Sequence, residues 1–356
     1  MQPQMVVVRP LMPSLACVDD EVERTFFWND FLDACHSTRK DRFPGCNPVS
    51  LSRQTLSQLG DRNYGIALKS DGVRFSLFLT MRQGSTPDQP KPVALMINRA
   101  GDMFEVEVIA VVDAFDKKTV LEGELVWKQP TEEVMLFLVF DCLRNAGEVL
   151  IDRPFHERYA TAERLTYFSE ELSSADDVEQ RVDETLSVVL TQYTPKIQMR
   201  AKVFVGLEHA VTMWKQRGEI DHRVDGIIVQ DYDSKYRFGT AVGGAILKWK
   251  AHATLDLQGG SEGQGAKPAA SDGALPAAVE GRRLVFRNDS RIRPAAPESI
   301  IEYLVACDDC TVSFFAVRVR DDKSAPNSLA VCLATINDVL DDIQPSDLAA
   351  CQNRRG

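Results

Sequence analysis

The stretch Lys69-Ser70-Asp71-Gly72-Val73-Arg74 puts an amine, a carboxylate and a guanidinium within one short segment. Apolar alternation of period two flanks it on both sides and reads as two strands, and Ser-Asp-Gly between them is turn chemistry. Taken alone, the pattern predicts a hairpin with a solvated lysine at the end of its first strand. Gly72 then supplies a backbone angle other residues dislike. A second group, "LKWK", alternates Lys248 and Lys250 with Trp249. As a strand it turns both amines to one face and the indole to the other, as contact with phosphate requires. Carboxylates stand in two more strand-like runs, Glu124 in "LEGELV" and Asp225 in "VDGIIV". Each has a duller reading, an exposed strand charge for Glu124 and a plain Asp-Gly turn for Asp225.

The elements that would position these groups follow from the patterning. At 356 residues, 44% hydrophobic and 26% charged, the chain has ordinary globular composition and length for two domains with separate cores. "DDEVERTFFWNDFLDACHS" (19–37) has acidic residues in its first turn and apolar residues at helical spacing, which predicts an amphipathic helix. Strands are expected at 64–69, 73–81, 93–98, 103–111, 118–126 and 134–142, forming a large antiparallel sheet. Helices follow at roughly 162–193 and in "VGLEHAVTMWKQRG", ending at Gly218, and strands return in "VDGIIVQ" and "AILKWK". "RRLVFRN", "SIIEYLVAC", "CTVSFFAVRVR" and "SLAVCLATI" read as strands of a small barrel closed by a helix over 335–350. The Gly/Ala/Ser-rich 258–281 reads as a flexible insertion. No run of apolar residues is long enough to span a membrane, and the N-terminal apolar core is too short for a signal peptide, so an intracellular chain with reduced thiols is expected. "CDDC" (Cys307, Cys310) reads as a hairpin turn, not half a zinc site. The net charge of −11 argues against a protein that coats long nucleic acid, but not against one that grips an RNA end with a few clustered cations.

The order of the short motifs carries more than any one of them. Lys69-x-Asp71-Gly72-x-Arg74, "LEGELV", "FLVFD", "VDGIIV", "ILKWK" and "RVRDDKSAPN" follow one another along the chain, and in that order they resemble the covalent nucleotidyltransferases: DNA ligases, RNA ligases and mRNA capping enzymes. "FPGCNPVSLSR" (43–53), "RAKVF" (200–204) and the full Arg-x-Arg-x-Asp-Lys-x-x-Pro-Asn pattern ending at Asn327 resemble the GTP:RNA guanylyltransferases among them. The resemblance covers roughly 43–340. It implies an α+β fold: an ATP-grasp-like nucleotidyltransferase domain of antiparallel sheets and helices at 1–240, followed by an OB-fold barrel domain at 241–356, with GTP in the cleft between them.

Residue by residue, the resemblance makes Lys69 the nucleophile and matches Arg74 and Glu124 to the pair at the ribose and metal environment. It matches Phe140 to the aromatic that stacks on guanine, and Arg99 and Lys202 to contacts with phosphates or base. Asp225 resembles an acidic metal-binding residue, Lys248 and Lys250 resemble phosphate ligands, and Asp256 the aspartate after the fifth motif. Arg318, Asp322 and Lys323 resemble the motif that orients the leaving pyrophosphate. The chain departs from the pattern at Glu122, Val229 and Phe314, where the family commonly has Asp, an aromatic and Trp.

The chemistry implied is a two-step transfer through a lysyl phosphoramidate. It needs a neutral amine, for which Arg74, Lys248 and Lys250 are the expected cationic neighbours, and Mg²⁺ or Mn²⁺ held on oxygen donors such as Glu124 and Asp225. The expected partners are GTP and 5′-diphosphate RNA, with an RNA 5′-triphosphatase and a cap N7-methyltransferase as separate chains, RNA polymerase as a further one, and no membrane. The expected location is the nucleus for a cellular protein, or a viral factory or virion for a viral one. An ATP-dependent RNA or DNA ligase and a catalytically silent cap-binding or RNA-end-binding module are the alternatives.

Overall fold

The computed structural model describes residues 16–37, 40–82, 90–106, 108, 112–131, 133–166, 196–241, 243–259, 269–287, 299–321 and 323–352. Three larger sheets and a two-stranded parallel pair, Cys46–Asn47 with Gly239–Thr240, organise them. The first runs Ala16–Cys17, Met103–Val106, Lys91–Asn98, Val73–Arg82, Thr119–Trp127, Val134–Asn145, Glu148–Val149, all antiparallel, with Lys196–Ala201 added in parallel to Val134–Asn145. The second runs Val205–Gly206, Tyr64–Ser70, Val224–Asp231, Ile246–Lys250, Val49–Ser50. The third runs Gly273–Ala274, Ala269–Ala270, Ala253–Gln258, Ile300–Cys307, Thr311–Val319, Arg282–Arg287, Ala278–Val279.

Period-two patterning explains why the first sheet is buried on both sides. Phe75, Leu77, Leu79, Leu121 and Leu125 pack toward Ala162 and Leu165 of the helix Phe155–Thr166. The alternate positions Phe78 and Val120 pack under Phe27, Phe31 and Leu32 of the helix Glu21–Ala34. That helix starts where expected, because Asp20 Oδ1 accepts from Glu23 N at 2.8 Å and Glu21 and Glu23 fill the first turn. The strand expected over 103–111 ends at Val106, with a short helix at Val112–Asp116. Most of the helix expected over 162–193 lies outside the described residues.

The predicted hairpin at Asp71-Gly72 is not one. Tyr64–Ser70 belongs to the second sheet and Val73–Arg82 to the first, so the turn carries the chain from one sheet to the other. Gly72 is required by crowding: a Cβ there would lie 2.4 Å from the Leu125 carbonyl oxygen and 2.5 Å from Val126 Cγ1.

The third sheet is open. Its end strands, Gly273–Ala274 and Ala278–Val279, do not pair with one another among the described residues, so the barrel expected here is not closed. Residues 269–281 of the expected flexible insertion form short strand pairs, while 260–268 lie outside the described residues. Cys307 and Cys310 flank the expected hairpin turn and are free thiols. "SLAVCLATI" is helical instead of extended: Ser328 caps Leu329–Asp341, and Cys332 and Ile336, one turn apart, are its buried residues. A second helix, Pro345–Gln352, follows, so the predicted helix over 335–350 is two.

Ile246–Lys250 hydrogen-bonds within the second sheet, although the expected boundary at 240/241 falls before it. The chain enters the third sheet across Ala251 and His252 and returns after Asp341, where Ile343, Leu348 and Cys351 join the core beneath the second sheet. Among the described residues no helix is long and apolar enough to cross a membrane.

Candidate active site

Backbone register builds the centre of the site. Lys69 pairs with Gly226, Gly226 with Lys250, and Ile228 with Lys248. Residues in one row share a face, so the three amines project from the same side of the second sheet. Ile66, Ile227, Val229, Leu247 and Trp249 line the core on the other. Gly226 is glycine because a Cβ would meet the Trp249 carbonyl oxygen at 2.0 Å. The register slips between Val224 and Gly226, leaving Asp225 as the extra residue of a bulge, a device that re-aims a side chain. Asp225 Oδ1 accepts from Lys69 Nζ at 2.7 Å and its Oδ2 pairs with Lys250 Nζ at 3.0 Å. Burial, then Lys250 and Lys69, push the Lys248 ammonium below the usual lysine range.

The first sheet supplies a second bulge. Asp141 lies opposite Glu122 and Val139 opposite Gly123, so Phe140 is the extra residue. The Arg74 guanidinium carbon lies 5.3 Å from the centre of its ring. Arg74 also donates from Nη2 to Glu122 Oε2 at 2.6 Å and from Nη1 to the Cys46 carbonyl. It is thus ion-paired with Glu122, while the other two expected cationic neighbours, Lys248 and Lys250, stand on the face that carries Lys69. The Tyr236 hydroxyl donates to the same Glu122 oxygen at 2.7 Å. Burial pushes the Glu122 carboxyl up, with Arg74 opposing, and Glu122 Oε1 has no hydrogen-bond partner among the described residues. Behind it, Asp141 takes both arms of buried Arg158 at 2.9 Å each.

Lys202 joins the two sheets. Its buried Nζ donates to Ser70 Oγ at 3.0 Å and lies 3.5 Å from Glu124 Oε2. Burial lowers its pKa, and Glu124 works the other way. Arg99 donates from Nη2 to Asn47 Oδ1.

Glu124 and Asp225 offer only oxygen donors, which suits Mg²⁺ or Mn²⁺ completed by phosphate and water. The charge balance fits a cation there: burial and then Asp225 push the Asp71 carboxyl up, with Glu124 adding to the effect and Lys69 and Lys250 opposing. Among the described residues no group of three or more His, Cys, Asp and Glu side chains is gathered as a metal cage, so these two carboxylates would be a partial ligand set.

The remaining predicted residues lie on or after the third sheet. Asp256 Oδ1 pairs with Arg320 Nη1 at 2.9 Å and Arg318 Nε with Glu302 Oε2 at 2.6 Å, so both are engaged there. Lys323 is exposed, and Asp322 lies outside the described residues. Sequence reasoning missed the roles of Tyr236, Asp141, Arg158, Ser70, Asp221 and His222. Apart from the adjacent pair Asp221 and His222, their partners are distant in sequence, and no local pattern announces them.

An aromatic face, a row of amines and paired carboxylates on a mixed α+β frame are the parts of a nucleotide-handling enzyme. The chain belongs to the family described as mRNA capping enzyme, catalytic domain, whose profile matches residues 12–252. It is 28% identical over 235 residues to the mRNA-capping enzyme subunit alpha of Yarrowia lipolytica, covering 61% of this chain and 56% of that protein. It is 26% identical over 339 residues to the subunit alpha of Schizosaccharomyces pombe, covering 87% and 80%. The chain thus spans little more than half the length of the Yarrowia protein. Among solved structures, a mycobacterial DNA ligase D complexed with ATP and MES aligns over 78% of this chain and 95% of that one, with a TM-score of 0.40 and 13% identity.

Proposed function

We propose that the chain is a GTP:RNA guanylyltransferase with Lys69 as its nucleophile. The observation that carries this is the bulged Asp225 bridging Lys69 and Lys250, with Lys248 on the same face. Lys69 Nζ, once neutral, attacks the α-phosphorus of GTP. An N–P bond forms, the bond to the bridging oxygen breaks, pyrophosphate leaves, and the amine gives up a proton. A terminal oxygen of an RNA 5′-diphosphate then attacks the same phosphorus, the N–P bond breaks, Lys69 regains a proton, and GpppN is formed. A salt-bridged ammonium has no lone pair to offer, so Lys69 must give up one proton before the first attack.

Lys248 and Lys250 hold phosphate oxygens and offset their growing charge. Phe140 offers its face to guanine, while Arg74, Arg99, Glu124 and Lys202 surround the ribose and base. Mg²⁺ or Mn²⁺ on Glu124 and Asp225 would supply Lewis-acid stabilisation of the phosphoryl oxygens. Asp256, Arg318, Asp322 and Lys323 act from an OB-fold-like second domain that closes on GTP to assist pyrophosphate departure and reopens for RNA. The glycine-rich 238–246 and the passage at Ala251 and His252 are the candidate hinges. The substrate requires a triphosphatase acting before it and the product suits an N7-methyltransferase acting after it. Both would work beside this chain on nascent transcripts, in a nucleus or a viral factory.

The test is incubation with α-labelled GTP or ATP and divalent metal, followed by denaturation. Label from GTP, absent in Lys69→Ala, is expected. Label from ATP alone would make the chain a ligase, and label from neither would leave a silent binding module.

A further inference from the structure

Ser70, next to Lys69, is 1% exposed, and its hydroxyl connects two side chains from different segments. Lys202 Nζ donates to Ser70 Oγ over 3.0 Å, and His222 Nε2 lies 3.0 Å from the same oxygen. His222 Nδ1 lies 3.3 Å from Asp221 Oδ1, and Asp221 Oδ2 accepts from Arg200 Nη1 at 2.8 Å and lies 3.9 Å from Lys128 Nζ. The donor inventory sets the protons. An ammonium can only donate, so Ser70 Oγ accepts from Lys202, and its own hydrogen has His222 Nε2 as an acceptor 3.0 Å away. An accepting Nε2 puts the imidazole hydrogen on Nδ1, where the Asp221 carboxylate accepts it.

We propose that His222, held by Asp221, is a positioning residue that acts through Ser70 to aim the buried ammonium of Lys202 at the nucleotide, and that it does so only while neutral. The proposal rests on the guanylyltransferase reading for the identity of that nucleotide.

Protonation of His222 would reverse the array. Nε2–H would then point at an oxygen already facing Lys202, and the buried Ser70 hydroxyl hydrogen would lose its acceptor. Burial disfavours the imidazolium most, and Lys202 adds to this. Asp221 and Glu124 oppose, while Arg200 and Lys128 bear on it through Asp221. The outcome is a His222 pKa below the ordinary histidine value. The neutral array is therefore complete above that ordinary value and is lost as pH falls through the depressed one.

Two measurements test this on the full chain. Long-range ¹H–¹⁵N spectra of its five histidines, assigned with His222→Gln, should show His222 as the Nδ1–H tautomer, with a Nε2 resonance that moves in Ser70→Ala. In the labelling reaction, His222→Ala should raise KM for GTP about 5-fold at pH 8, the worth of one lost hydrogen bond between neutral groups. His222→Gln, an acceptor without a charge, should keep KM near wild type and remove its rise toward pH 6. An Nε2–H tautomer, or a His222→Ala chain with wild-type KM and pH profile, overturns the proposal. A chain with the expected tautomer that takes label only from ATP refutes the GTP reading instead, and the same KM comparison then applies to ATP. A chain that binds neither nucleotide overturns both.

Discussion

Gly226→Ala tests the geometry of the amine row directly. The added Cβ would sit 2.0 Å from the Trp249 carbonyl oxygen and 3.0 Å from Lys250 Cα, all backbone that no rotamer change can move aside. Restoring ordinary contact needs the Lys250 strand to retreat by about 1.4 Å. Overpacking of this kind costs about 1–3 kcal/mol, and weakening the adjacent cross-strand hydrogen bond adds about 1 kcal/mol. At roughly 2 °C or more per kcal/mol for a chain of this size, Tm should fall by about 4–10 °C. The same retreat pulls Lys250 Nζ away from Asp225, now 3.0 Å off, so labelling by GTP should fall further than the loss of folded protein explains. Gly218→Ala is the control, because nothing lies within 4 Å of a Cβ there, and its effect should stay within about 0.5 kcal/mol. Calorimetry and a labelling time course on the three proteins decide the matter. Gly226→Ala with the Tm of the control and wild-type labelling would refute the close-packed row and the phosphate grip built on it.

Glu122→Ala leaves the Arg74 guanidinium, 13% exposed, without its ion-pair partner, a loss of about 3 kcal/mol that urea unfolding should register, whereas Glu122→Gln keeps an acceptor for Tyr236 and Arg74 and should cost clearly less. Equal midpoints for the two would show that the pair carries no such charge dependence. Phe140→Leu removes a half-buried ring at a bulge and should weaken GTP binding by about 1–3 kcal/mol, the range for stacking of a base on an aromatic. The rise should appear in KM with little change in Tm, and a Tm loss without a KM change would reassign Phe140 to packing.

The strands of the site were legible because alternation is a local signal. The LKWK face is as expected, with Trp249 buried and both lysines on the other side. What alternation cannot carry is register between distant strands. Nothing near Asp225 or Phe140 says that each is the odd residue of a bulge, since that depends on how Val224–Asp231 lies against Tyr64–Ser70 and how Val134–Asn145 lies against Thr119–Trp127. The turn at Asp71-Gly72 was misread for a related reason: the same residues serve a hairpin and a passage between sheets, and only the approach of Leu125 and Val126 tells them apart. The cluster of Arg74, Glu122 and Tyr236 joins three distant segments, and no local pattern announces it.

On the proposed function, the charge of the site also reconciles an acidic chain with a polyanionic substrate. A net charge of −11 repels nucleic acid at long range, yet Lys69, Lys248 and Lys250 share one face of one sheet with Asp225 between two of them. Three cations so close are tolerable at rest because the bulge delivers a carboxylate and because Lys248 gives up its proton more readily than an isolated lysine. A triphosphate brings the anions this arrangement lacks, and can compete with Asp225 for the amines it holds. On the proposed reading the carboxylate holds the place of the substrate, and the row suits a ligand short enough to put its charges at that one point, as a nucleotide or an RNA 5′ end does and a long duplex does not.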